Sequence, residues 1–211
     1  VAVLSGPSHA EEVVRLLPTT CVAGAKDMET AKLIQSVFMS PVFRVYTSTD
    51  MLGIELGGSL KNVIALAAGI SDGLGDGDNA KAALITRGIV EISRLGTAMG
   101  ANIETFYGLS GIGDLIVTCT SSHSRNKRAG VFIAQGYDID KVQEKVGMAV
   151  EGISTTLAGY ELSRELGVAM PITEAIYNVI YNSQDIKQCV KSLMNRDKKS
   201  ELMSEDNFVS F

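Results

Sequence analysis

Lys61 carries the greatest chemical promise in this chain. It stands in Glu55-Leu56-Gly57-Gly58-Ser59-Leu60-Lys61-Asn62-Val63, within a stretch whose small and apolar residues read as a buried helix. An ammonium there is costly unless its amine reaches a polar cavity, where it could give and take protons. The plainer alternative is a lysine whose stem follows its helix out to solvent. A second candidate is Gly113-Asp114-Leu115-Ile116-Val117-Thr118, followed by Ser121-Ser122-His123-Ser124-Arg125-Asn126-Lys127-Arg128. One carboxylate, a hydroxyl-rich loop and three cations at a helix start make a donor set suited to phosphate. Arginine offers a bidentate fork, and Ser, Asn and backbone N–H groups complete the shell. A solvated basic turn has the same letters. The third candidate is the strand-to-helix turn Ser5-Gly6-Pro7-Ser8-His9-Ala10. A helix start there would present free N–H groups and a positive dipole end to an anion or a carbonyl, unless it is an ordinary capped turn.

Other chemistries drop out. Gly73-x-Gly75-x-Gly77 lacks GxGxxG spacing and follows no strand. Asp76-Gly77-Asp78-Asn79 has Lys81 where a calcium loop needs glycine and Arg87 where it needs glutamate. Cys21, Cys119 and Cys189 form no CxxC, which excludes a zinc ribbon or a disulfide framework and fits a reducing compartment. The 211 residues carry 19 Lys and Arg against 24 Asp and Glu, a net charge of -5 that argues against a nucleic-acid surface. The weakly polar run Leu60–Ile70 is too short to span a bilayer, and no basic n-region opens the chain.

The elements that must position these residues change character along the chain. Val1–Leu4, Thr19–Ala23 and Phe43–Thr47 read as strands. A helix is expected over His9–Leu17, behind a Ser8–Glu11 capping box, and another after the Asp27 cap. From Leu52 to Ile70 a long pattern rich in Gly and Ala predicts a central helix approached closely by its neighbours. A Gly/Asp loop over Ser71–Asp78 should lead to a second long helix, Asn79–Met99. Further helices are expected as a short turn at Leu115–Thr118, then at Arg125–Gln135, Ile139–Val146 and Ile153–Leu166. Two more close the series: Thr173–Tyr181, capped by Thr173 behind Pro171, and Asp185–Met194. The class is an α/β remnant followed by an all-helical domain.

The segments SGPSHAEE, ELGGSLKNVIALAAGISDGLGDGDNAKAALITRG, GIGDLIVTCTSSHSRNKRAG and VEG occur in that order at compatible spacing. Together they resemble the bacterial NAD(P)-dependent glycerol-3-phosphate dehydrogenase family over residues 1–195. The resemblance implies a mainly α fold. Residues 49–195 would be an all-helical substrate and catalytic domain, and residues 1–48 a short βαβαβ remnant of a dinucleotide-binding domain. Residues 196–211 would be a polar tail with little order. It implies a cytoplasmic, homodimeric oxidoreductase that interconverts sn-glycerol 3-phosphate and dihydroxyacetone phosphate with NAD or NADP and supplies phospholipid synthesis. By resemblance Lys61 is the acid/base residue and Asp114 orients its amine or a substrate hydroxyl. Gly6, Ser8, Ser124, Arg125 and Asn126 join them at the substrate, while Ala10, Arg125, Ala149 and Glu151 touch the cofactor. No metal is implied.

The sequence departs from the family pattern at His9, where Phe is expected, and at Ala149, where Val is common. Val1 opens the chain in mid-architecture, and neither GxGxxG nor a second substrate lysine upstream is present. The expectation is the downstream part of a longer enzyme, inactive by itself. A 6-phosphogluconate or hydroxyacid dehydrogenase also uses a helix-borne lysine, but the Ser-Arg-Asn loop argues against that class. A non-catalytic helical dimerisation module would have no use for the Lys61, Asp114 and Arg125 set.

Overall fold

A computed structural model describes residues 1–198, 200 and 201. The strands β1 (Ala2–Ser5), β2 (Thr19–Ala25) and β3 (Phe43–Ser48) form one sheet in that order. Between β2 and β3 runs α2 (Met28–Phe38), its first turn capped by Asp27, whose carboxylate accepts the Thr30 N–H. That helix makes the parallel crossover, with Thr19 opposite Phe43 and Gly24 opposite Ser48. β1 is antiparallel to β2, Ala2 lying opposite Ala25. The reason is local. The first helix, α1, covers only Ala10–Val13 rather than His9–Leu17, so the chain doubles back instead of crossing over. Leu16 sits at φ 60°, and Pro18 bars Leu17 from continuing a helix. The expected capping box does not form: His9 is the cap residue, and the Ser8 hydroxyl donates to the Gly6 carbonyl at 3.1 Å.

The centre of the molecule is α3 (Met51–Leu74). Its Asp50 cap accepts the Gly53 N–H at 3.0 Å and the Thr105 hydroxyl at 2.6 Å. This anchors a short 3-10 turn, Ile103–Tyr107, that the periodicity does not announce. α3 runs past Ile70 and ends only at Gly75, which takes φ 79°, so the expected loop shrinks to Gly75–Gly77. Around α3 pack α4 (Asp78–Ala98), α5 (Asp114–Thr120), α6 (Arg125–Ala134), α8 (Glu151–Glu165) and α9 (Pro171–Tyr181). α7 (Ile139–Val146) leans on α6, and α10 (Ile186–Met194), capped by Asp185, leans on α9. Val63, Ile64, Leu66, Ile92, Leu95, Phe106 and Leu115 form the common core. By length and composition α3 could cross a bilayer, but here its apolar residues face the neighbouring helices. Among the described residues all three cysteines are buried and unpaired.

The expectation of a Thr173 cap is corrected. Pro171 is itself the first residue of α9, and the buried Glu91 of α4 does the capping from across the core. Its carboxylate accepts the Ile172 N–H at 2.6 Å, the Thr173 N–H at 3.2 Å and the Thr173 hydroxyl at 3.3 Å. The tail expectation for 196–211 falls largely outside the described residues.

The close approach foreseen for α3 is a crossing with α6. A Cβ on Gly130 would collide with the Leu66 carbonyl, and one on Gly69 with the Lys127 carbonyl. Alanine is the better helix former by about 1 kcal/mol. Forcing two backbones apart costs about 1–3 kcal/mol. Gly130→Ala should therefore lower the thermal unfolding midpoint by several degrees. An unchanged or raised midpoint would show that the helices yield at no cost.

Candidate active site

Lys61 lies midway along α3, one turn beyond the point where Gly58 faces the Ser5 side chain. Its amine is 2.5 Å from Asp114 Oδ2, at the first residue of α5. With side-chain exposures of 18% and 5%, the pair belongs to the interior, which dismisses the solvent-seeking alternative for Lys61. Thr118, one turn along α5, donates its hydroxyl to the Asp114 carbonyl at 2.6 Å and reaches Oδ1 at 3.3 Å. Burial pushes the Asp114 carboxyl up, against the opposing pull of the Lys61 ammonium and the Thr118 hydroxyl.

The start of α6 forms a second wall. Ser124 is its cap, accepting the Lys127 N–H at 3.2 Å. Arg125 pairs with Glu151, the first residue of α8, at 2.9 Å; the side chains are 35% and 45% exposed. A pair so exposed contributes at most about 1 kcal/mol, so either partner can be drawn off by a ligand. Asn126 is buried: its amide donates to Asn62 Oδ1 at 2.9 Å, and its oxygen accepts the Gly152 N–H at 2.8 Å. It thereby locks α6 to α3 beside Lys61 and to the start of α8.

The third wall is the turn after β1. Gly6 takes φ 144° and packs so tightly on Cys21 that a Cβ would lie 3.0 Å from its Cα, a position suited to glycine. The His9 and His123 rings stand 5.9 Å apart, bringing this turn to the loop before α6. Glu11 is held below the usual carboxylate range by the N–H of its own turn, with His123, His9 and Arg125 adding to the effect. His9 Nε2 is enclosed and has no hydrogen-bond partner among the described residues.

Most of the sequence candidates therefore gather in one place. Lys61, Asp114, Ser124, Arg125, Asn126 and Glu151 are joined through direct bonds or adjacent positions, and Gly6 and Ser8 approach from the sheet side. Ser8, Ala10 and Ala149 are exposed at the rim and make no side-chain contact with the Lys61–Asp114 pair. Sequence reasoning missed Thr118 and Asn62. The first stands at the i+4 position from Asp114 and the second is next to Lys61, spacings that were available as signals. A cavity of about 1170 Å³ lies elsewhere, lined by Leu84, Arg87, Glu91, Ile176 and Val190, with neither Lys61 nor Arg125 in its wall.

An ammonium against a buried carboxylate can pass a proton to a substrate oxygen and take it back. A helix start with a detachable guanidinium can hold an anion. Comparison with known proteins bears on which substrate that is. Residues 50–191 match the model for the NAD-dependent glycerol-3-phosphate dehydrogenase C-terminus, and residues 1–31 match that for its N-terminus. A Geobacillus kaustophilus protein named glycerol-3-phosphate dehydrogenase (NAD(P)+) is 62% identical over 211 residues, covering 100% of this chain and 61% of its own length. One of the same name from Moorella thermoacetica is 58% identical, over 98% of this chain and 62% of its length. The crystal structure of glycerol-3-phosphate dehydrogenase from Coxiella burnetii superposes with a TM-score of 0.90 at 42% identity, covering 92% of this chain and 60% of that one. The chain thus spans about three-fifths of the length of these relatives. On the match of both family models in chain order, and on the fold they share, the chain belongs to the NAD-dependent glycerol-3-phosphate dehydrogenase family.

Proposed function

We propose that the full-length protein interconverts dihydroxyacetone phosphate and sn-glycerol 3-phosphate with NADH or NADPH. The observation that carries this reading is the Lys61–Asp114 pair, buried beside an α6 start built to hold an anion, in a chain of this family. Lys61 donates a proton to the C2 oxygen as the alkoxide develops and retrieves it in the reverse direction. Asp114 keeps the ammonium aimed and is itself steadied by Thr118. Ser124, Arg125 and Asn126 hold the phosphate, with Gly6 and Ser8 closing the substrate from the sheet side. The phosphate is remote from the reacting carbon, so its binding energy serves to position that carbon.

A nicotinamide dinucleotide fits the donors at the rim. These are the half-exposed Arg125–Glu151 pair, the exposed residues Ala10 and Ala149, and the enclosed His9 Nε2 that lacks a partner among the described residues. When bound, it supplies the hydride for C2 or accepts it. Residues 1–48 then serve the cofactor side and 49–195 the substrate side. The same reading makes the enzyme a cytoplasmic homodimer that feeds phospholipid synthesis.

A substrate panel tests it. With NADH or NADPH the full-length protein should reduce dihydroxyacetone phosphate and act poorly on dihydroxyacetone; with NAD+ or NADP+ it should oxidise sn-glycerol 3-phosphate and leave 6-phosphogluconate and simple hydroxy acids untouched. Preference for one of the latter would overturn the assignment. Arg125→Ala should raise KM for the phosphorylated substrate and also lower kcat, because a charged contact both binds and positions. A silent Arg125→Ala would return the loop to a solvated basic turn.

A further inference from the structure

Lys127 follows Arg125 and Asn126 directly, yet its side chain reaches the far end of α3. There Lys127 Nζ is 3.2 Å from Asp72 Oδ2, and it also donates to the Thr120 carbonyl at 3.0 Å. Its backbone N–H meanwhile donates to Ser124 Oγ at 3.2 Å. One residue therefore ties both flanks of the loop 121–124: Thr120, which closes α5, and Ser124, which opens α6. Asp72 in turn accepts Lys81 from the first turn of α4 at 2.7 Å. The three side chains are only 17–25% exposed. Burial alone would raise the Asp72 carboxyl, but the bonds from Lys81 and Lys127 hold it below its ordinary value. It stays charged wherever the protein is folded near neutral pH.

We propose that Asp72 and Lys127 form a clamp that sets where Ser124 and Arg125 stand, making both residues positioning groups for the substrate's phosphate. The proposal rests on the reading of the site given above. The clamp is not needed to join the helices. α3 and α6 already meet backbone to backbone at Gly69 and Gly130, and α5 is seated in the core through Leu115 and Cys119. At 17–25% exposure the ion pair contributes to stability as well, which the unfolding midpoint reads separately from the kinetics. What it adds is a tie between the two flanks of the loop from Thr120 to Ser124, whose tip is held besides by the His123 N–H on the Ser121 hydroxyl and by the neighbouring His9 ring. The other end of α5 is fixed separately, by Lys61 and Thr118 on Asp114. Loosening the clamp should therefore move the anion-holding end and leave the proton-transfer pair in place.

The test uses the full-length enzyme with Asp72→Asn and Lys127→Ala, each assayed on dihydroxyacetone phosphate and on dihydroxyacetone. A loop displaced by a fraction of an ångström should raise KM for the phosphorylated substrate about tenfold, with kcat changed by less than about threefold. The kcat/KM for dihydroxyacetone, which has no phosphate to place, should be unchanged. Lys127→Arg should behave nearly as wild type. The double variant should be no worse than either single one, because both remove the same constraint. Equal losses on both substrates, accompanied by a lower unfolding midpoint, would mean a merely structural role and would overturn the clamp. So would an unchanged KM in variants of an enzyme that does prefer the phosphorylated substrate. A wild type with no such preference would overturn the functional reading itself, and the clamp with it.

Discussion

Full-length enzyme carrying Lys61→Met should turn over about 100- to 10,000-fold more slowly than wild type, the usual cost of removing a positioned general acid. In barrier height that is about 3–5 kcal/mol. Methionine keeps most of the stem that lies along α3 and removes only the charge. The substitution also strands Asp114 at 5% exposure, and an unpaired buried charge is strongly destabilising. Asp114 has an escape, since burial already pushes its carboxyl up and, without Lys61, it can take a proton and remain inside neutral. The variant should therefore stay folded, and adding Asp114→Asn should recover stability without recovering turnover. Circular dichroism, thermal unfolding and steady-state kinetics on the same preparations decide it. A folded Lys61→Met enzyme with near-wild-type turnover would end the acid/base assignment.

The second large effect concerns Glu91 and does not involve the active site. Burial pushes its carboxyl from 4.5 up to about 7, although the Ile172 and Thr173 N–H groups pull the other way. A carboxyl raised in the folded state binds its proton more tightly there than in the unfolded chain. Its contribution to stability is complete below pH 4.5 and is lost as pH rises toward 7. The span corresponds to about 3 kcal/mol. Urea unfolding at pH 5 and pH 8 should show wild type weakening by roughly that amount relative to Glu91→Gln, which cannot ionise. At pH 5 the glutamine variant should lie close to wild type, because a protonated carboxyl and an amide each offer one strong acceptor oxygen to the head of α9. If the two proteins kept a constant difference across that range, Glu91 would not be titrating with folding.

Glu91 also shows what a one-dimensional reading misses. On α4 it looks like any surface carboxylate between apolar positions, and nothing nearby in sequence announces that its partners are Ile172 and Thr173. Where a signal was local it could be read. Asp27 caps the helix expected of it, Ile139–Val146 forms as a helix, and the glycines of α3 and α6 meet where small residues implied close contact. Ser8 was misread because Asp, Ser and Thr have several local bonds open to them. Its hydroxyl took the Gly6 carbonyl instead of the helix N–H. The site was legible residue by residue at Lys61, Asp114 and Arg125. Their assembly was not, because it depends on the Asn62–Asn126 bond, a contact between residues 64 apart that pattern reasoning has no means to pair.

The crossing at Gly69 and Gly130 sets a fixed gauge for the molecule. No side chain stands between α3 and α6 there, so their separation depends on main-chain radii and not on how well a core residue fills a gap. Lys61 rides on one helix and Arg125 on the other. Sequence drift elsewhere in the core can swell or thin the packing, and stability will follow it. The separation of Lys61 from Arg125 is then governed by this crossing more than by how the rest of the core packs.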